Sequence, residues 1–135
     1  MVSVEVNYLA VLIAAIAIWV VGAVWYGVLF GDRWVVAIEK TREQLGRAMK
    51  PMVISFVANL VMAFALACVI ETASGGTPTL AAGIESGFLV ALGFIVTAEV
   101  VANSFEGRPL ALTLINGGYW LVGFILAGAV IGFFG

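Results

Sequence analysis

Residues 7–30 read NYLAVLIAAIAIWVVGAVWYGVLF. The run is apolar all round. It lacks the strict alternation of a membrane β-barrel strand, which would be about 10 residues long. At a rise of about 1.5 Å per residue, about 20 apolar residues cross the ~30 Å hydrocarbon core of a bilayer. Backbone N–H and C=O groups find no water there and must bond within the segment, so such a run is a helix. Three more runs of this kind follow. The spans are expected at about 8–30, 52–71, 80–104 and 110–134, which uses most of the 135 residues. The sequence therefore predicts an all-α, integral membrane four-helix bundle as one domain over residues 1–135.

Composition agrees. The chain is 64% hydrophobic and 10% charged, against roughly 25% charged in a soluble domain. So few charges cannot cover a water-facing surface. A cleaved signal peptide is not expected, because its apolar core would be about 7–15 residues behind a basic start. Here only Glu5 is charged ahead of a much longer run. The single cysteine, Cys68, forms no internal disulfide, and the absence of histidine removes the commonest metal ligand and acid–base group. No cofactor and no metal is expected.

The basic residues fall in two places: Arg33, Lys40, Arg42, Arg47 and Lys50 between spans 1 and 2, and Arg108 between spans 3 and 4. Lys and Arg near span ends stay on the cytoplasmic side. Loops 32–50 and 105–109 are therefore expected in the cytoplasm, and both termini outside, in a multi-pass protein of the cell membrane. Within 32–50, Trp34, Ile38, Leu45 and Met49 recur at helical spacing. Glu39–Arg42 and Glu43–Arg47 support a helix on its polar side. This predicts a short amphipathic helix at the interface between spans 1 and 2, with Trp34 as its anchor. In 105–109, Glu106, Gly107, Arg108 and Pro109 form a tight turn: Gly107 permits a left-handed conformation and Pro109 suits a helix start. So short a connection makes spans 3 and 4 antiparallel neighbours.

Folding the chain about that turn sets the depth of each polar residue. Positions summing to about 215 lie level, which pairs Glu99 with Asn116, and Asn103 with Leu112 and Thr113. Tyr26 on span 1 and the i,i+4 pair Ser55 and Asn59 on span 2 reach similar depth. A carboxylate inside a membrane costs about 2.5–3.5 kcal/mol on insertion scales, so it turns toward protein or water. Tyr26, Ser55, Asn59, Glu99, Asn103 and Asn116 are thus expected to form one polar layer. Glu99 and Glu85, fourteen positions apart, would lie nearly on one face; Glu71 and Glu85 are read as marking the outer water boundary.

Two readings of the layer stay open. It lines a cavity for a small ligand or ion, as in a transporter, or it locks helices together in a structural or accessory subunit that packs against partners. Glycine patterns Gly83-x-x-x-Gly87 and Gly128-x-x-x-Gly132 permit close helix contact, within the bundle or in a homodimer. No nucleophile–base pair or phosphate loop marks an enzyme, so no catalytic residue is expected. A nucleic-acid partner is excluded by the lack of a basic surface beyond the loops.

Three blocks, WYGVLFGDRW (25–34), SFVANLVMAFAL (55–66) and FEGRPLALTLINGGYWL (105–121), resemble the prokaryotic membrane proteins grouped as domain of unknown function 1761. The resemblance covers nearly the whole chain and implies four spans, with no established activity to carry over. It draws attention to Trp25, Tyr26, Phe30, Gly31, Trp34, Asn59, Phe105, Asn116 and Tyr119 besides the turn residues. Several members have Ser-Pro after the Trp-Tyr pair, where this chain has Gly27-Val28.

Overall fold

The computed structural model describes residues 5–38 and 49–135. Four helices are long and apolar enough to cross a membrane: Tyr8–Leu29, Lys50–Ala73, Leu80–Glu106 and Leu110–Phe134. They are built from α1 (Tyr8–Val24), α3 (Met49–Ala73), α4 (Leu80–Val90) with α5 (Thr97–Glu106), and α6 (Leu110–Phe134); a short helix α2 (Gly31–Ala37) follows span 1. No strand occurs among the described residues. The protein is an all-α membrane four-helix bundle. Large apolar side chains such as Leu9, Val53, Val61, Phe94 and Leu114 stay exposed on the outside of every span. Contiguous apolar surface on that scale is not stable in water, and acyl chains are its natural solvent.

Local chemistry sets the helix ends. Asn7 caps α1, its Oδ1 accepting from the backbone N–H groups of Leu9 and Ala10 at 3.1 and 3.2 Å. Its Nδ2 also donates to the Phe134 carbonyl at 3.2 Å, which ties the start of span 1 to the end of span 4. Gly107 takes φ +69°, and the Arg108 N–H bonds back to the Asn103 carbonyl at 2.9 Å. This left-handed C-terminal turn closes α5 and points the chain into Pro109 and α6.

Span 4 is the hub, packed between spans 1 and 3, while span 2 leans chiefly on span 1. Spans 3 and 4 make the heaviest contact, as the short turn requires. The core is made of small, branched and aromatic side chains: Ala14, Ala15 and Ile18 from span 1, Ala63, Leu66 and Ala67 from span 2, and Tyr119, Phe124 and Ala127 from span 4. Small residues let backbones approach, which is the main source of helix attraction once lipid is the solvent. The limit of that approach is reached between spans 3 and 4. A β-carbon at Gly83 would run into the Gly128 carbonyl oxygen, one at Gly87 into that of Phe124, and one at Gly132 into that of Thr79. These glycines, considered above for a contact with a second copy, are occupied by the chain's own helices.

Two π-helical turns interrupt the spans, at Trp25–Leu29 and Ala91–Val96. The second decides where the polar residues go. In a regular helix, twelve residues separate Gly87 from Glu99 by about 120° around the axis; one residue accommodated in a π turn reduces this to about 20°. The glycines of α4 and the polar side chains of α5 consequently both face span 4. The Thr97 hydroxyl donates to the Gly93 carbonyl within the turn at 2.9 Å. The same turn corrects the expectation that Glu85 and Glu99 share a face. Glu85 is exposed, whereas Glu99 is half-buried among hydrogen-bond donors.

Among the described residues between spans 1 and 2, Gly31–Ala37 forms a helix, with a turn at Ile38. The side chains of Leu45 and Met49 and the pairs Glu39–Arg42 and Glu43–Arg47 lie outside the described residues. Within the described part, α2 folds back against span 4. Trp34 therefore lies over the bundle, its ring 4.8 Å from that of Tyr26.

Candidate functional site

The end of the bundle that carries Arg33 and Arg108 holds a hydrogen-bonded chain across three spans. The Tyr26 hydroxyl donates to Asn116 Oδ1 at 2.7 Å. Asn116 Nδ2 donates to Glu99 Oε1 at 2.7 Å, and Asn103 Nδ2 reaches the same oxygen at 3.1 Å. Asn103 Nδ2 also reaches Thr113 Oγ1 at 2.9 Å. The level pairing read from the turn is thus a set of direct bonds. Both amides land on Oε1, and Glu99 Oε2 carries no hydrogen bond among the described residues.

Beside this chain lies a cavity of about 450 Å³, within the range of about 300–1,000 Å³ typical of small-molecule sites. Glu99, Asn103 and Asn116 form its polar side. Tyr26, Trp34 and Trp120 supply aromatic walls, and Ala102 and Leu112 the rest of the lining near Glu99. At the rim stand Glu106 and Arg108, joined by an ion pair of 2.9 Å whose side chains are half-exposed. Arg108 is therefore engaged by Glu106 and does not reach back to neutralise Glu99.

Close packing fixes the aromatic walls. The Trp25 indole N–H donates to the Ile115 carbonyl at 2.8 Å, and its ring occupies the space that a side chain at Gly118 would need. Gly22 likewise leaves room for the Tyr119 ring. Tyr119 packs on Tyr26 at 5.3 Å and on Trp120 at 4.7 Å, so Trp34, Tyr26, Tyr119 and Trp120 form one aromatic chain behind the cavity.

Of the six residues expected in one layer, the fold brings together Tyr26, Glu99, Asn103 and Asn116. Ser55 is exposed on the outer surface of span 2 and takes no part. The reason is geometric: a series at steps of four drifts by about 40° per step, so Ser55 lies about 120° from Ala67 when Ala67 faces the core. Asn59 is 1% exposed but belongs to the core between spans 1, 2 and 4, away from the cavity lining. Its Nδ2 has no hydrogen-bond partner among the described residues. The amide approaches the Tyr119 hydroxyl without forming a hydrogen bond, and that hydroxyl is directed instead at the Ile18 carbonyl, 3.4 Å away. Trp34 was legible as the anchor of an interfacial helix, and nothing in the spacing of Trp34 or Trp120 marks them as cavity walls. Thr113 was legible through its depth beside Asn103.

Among the described residues no group of three or more His, Cys, Asp or Glu side chains could hold a metal ion. No curated protein and no solved structure matches the chain. A family model described as "Protein of unknown function (DUF1761)" matches residues 9–132. That match takes in both π turns, the glycine contact of spans 3 and 4 and every residue of the hydrogen-bonded chain. The protein, with its four apolar helices, is a member of the DUF1761 family, a family of unknown function.

Proposed function

We propose that this protein binds a small solute or ion from the aqueous phase in the cavity at Glu99, as a transporter or a ligand-binding membrane protein does. The observation that carries this reading is the asymmetry of Glu99. Its Oε1 is held by two amides while Oε2 is left without a partner among the described residues, beside a cavity large enough for a ligand. A carboxylate used only to lock helices would be expected to engage both oxygens, because a membrane-embedded acceptor left unpaired is costly. The basic residues Arg33 and Arg108 at this end of the bundle favour a cytoplasmic position for the cavity.

Thiol labelling tests the reading. In a Cys68→Ala background, Ala102→Cys places a thiol on the cavity lining, and Val101→Cys places one at the same depth on the exposed apolar surface. A thiol must ionise to react, so a hydrophilic thiosulfonate reagent modifies it readily in water and poorly in lipid. Residue 102 is expected to label and residue 101 to resist. Equal resistance at both would mean a dry layer, and would leave helix locking in an accessory subunit as the function of these polar groups.

A further inference from the structure

Resting on the cavity reading above, we infer that its ligand is a small organic monocation, held by the Glu99 carboxylate and the aromatic walls Tyr26, Trp34 and Trp120. The charges lining the cavity among the described residues are Glu99, Glu106 and Arg108. Arg108 is engaged by Glu106 at 2.9 Å, so among the described lining residues Glu99 is the acidic side chain with no cationic partner. An anionic solute would find no unpaired cation among them.

The neighbouring donors and acceptors narrow the class further. Asn116 Oδ1 already accepts from Tyr26, and the Asn103 and Asn116 amide nitrogens are committed to Glu99 and Thr113. Few oxygen atoms remain for an inorganic ion such as calcium, which takes about six to eight. Aromatic rings, in contrast, attract a diffuse cation through their electron-rich faces, most strongly when that cation is poorly hydrated, as a quaternary ammonium is. Among the described lining residues, three rings and one carboxylate make a site for an alkylated ammonium.

The test uses the full chain in lipid nanodiscs with tetramethylammonium as the probe, followed by calorimetry and by tryptophan fluorescence. Potassium and the neutral, similarly shaped neopentyl alcohol serve as comparisons. Saturable binding of tetramethylammonium, with neither comparison competing at equal concentration, is the expected result. Glu99→Gln keeps an oxygen acceptor for both amides and removes the charge, and should weaken binding by about thirtyfold or more. Trp34→Leu touches none of the Glu99 hydrogen bonds and should weaken it by about 2- to 30-fold, the range for a cation on an aromatic face. Equal binding of the alcohol, preferential binding of potassium, or unchanged affinity in Glu99→Gln would overturn the assignment. Absence of tetramethylammonium binding while Ala102→Cys still labels would overturn the ligand class and leave the aqueous cavity standing. Failure of that labelling would remove the cavity reading itself.

Discussion

Deletion of Gly93 is expected to leave this protein folded, although losing one residue from a membrane helix ordinarily turns everything beyond it by about 100°. Gly93 lies in the π turn Ala91–Val96, is exposed, and has open space where a side chain would be. Removing it converts the π turn to a regular helix. Gly87 and Glu99 then stand eleven residues apart, which restores the separation of about 20° that the π turn provides in the parent chain. The glycine contact with span 4 and the Glu99–Asn116 bond both survive. The matched control is deletion of Leu121, between Asn116 and Gly128 on span 4, where the helix is regular. That deletion leaves the same two contacts about 100° out of register. It breaks the two bonds that Asn116 Nδ2 and Thr113 Oγ1 make to span 3, at about 0.6 kcal/mol each. It also turns a carboxylate from its partners, at about 2.5–3.5 kcal/mol. The expected loss is therefore about 4 kcal/mol, against less than about 1 kcal/mol for deletion of Gly93. Thermal unfolding in mild detergent, followed by circular dichroism, separates the two. If deletion of Gly93 destabilises the protein as much as deletion of Leu121, the account of the π turn as a register device is wrong.

Gly83→Ala pushes a β-carbon into the Gly128 carbonyl and should cost about 1–3 kcal/mol. Gly93→Ala meets open space and should be neutral or slightly stabilising; equal effects in unfolding experiments would deny that spans 3 and 4 touch at these glycines. Asn59→Leu replaces a buried amide whose Nδ2 has no partner among the described residues with an apolar side chain of similar size. It should raise stability or leave it unchanged, and a loss above about 1 kcal/mol would show that the amide is satisfied in the membrane. Gly107→Ala forces a β-carbon into a left-handed conformation at φ +69°, so a decrease of about 1–2 kcal/mol is expected. Unfolding at an unchanged temperature would place that turn in another conformation.

The sequence alone was enough to determine the solvent and the number of spans. Long runs without charge have one low-energy conformation in hydrocarbon, and their length is set by the bilayer. The turn at Gly107 was equally legible, because a left-handed residue between two such runs leaves little choice of geometry, and with it came the level pairing of Glu99 with Asn116 and Asn103 with Thr113. The tertiary structure alone decided which residues share a face. A π turn such as Ala91–Val96 carries no sequence signature of its own; it forms because tight glycine packing on one side of it and hydrogen bonding on the other are both satisfied only if the helix gains a residue. That turn parted Glu85 from Glu99, whereas the steady drift of a regular helix carried Ser55 to the outside of span 2, and packing of α2 against span 4 laid Trp34 over the cavity. Angular register is a sum over every residue between two points, so a local deviation, invisible in the local sequence, redirects all that follows.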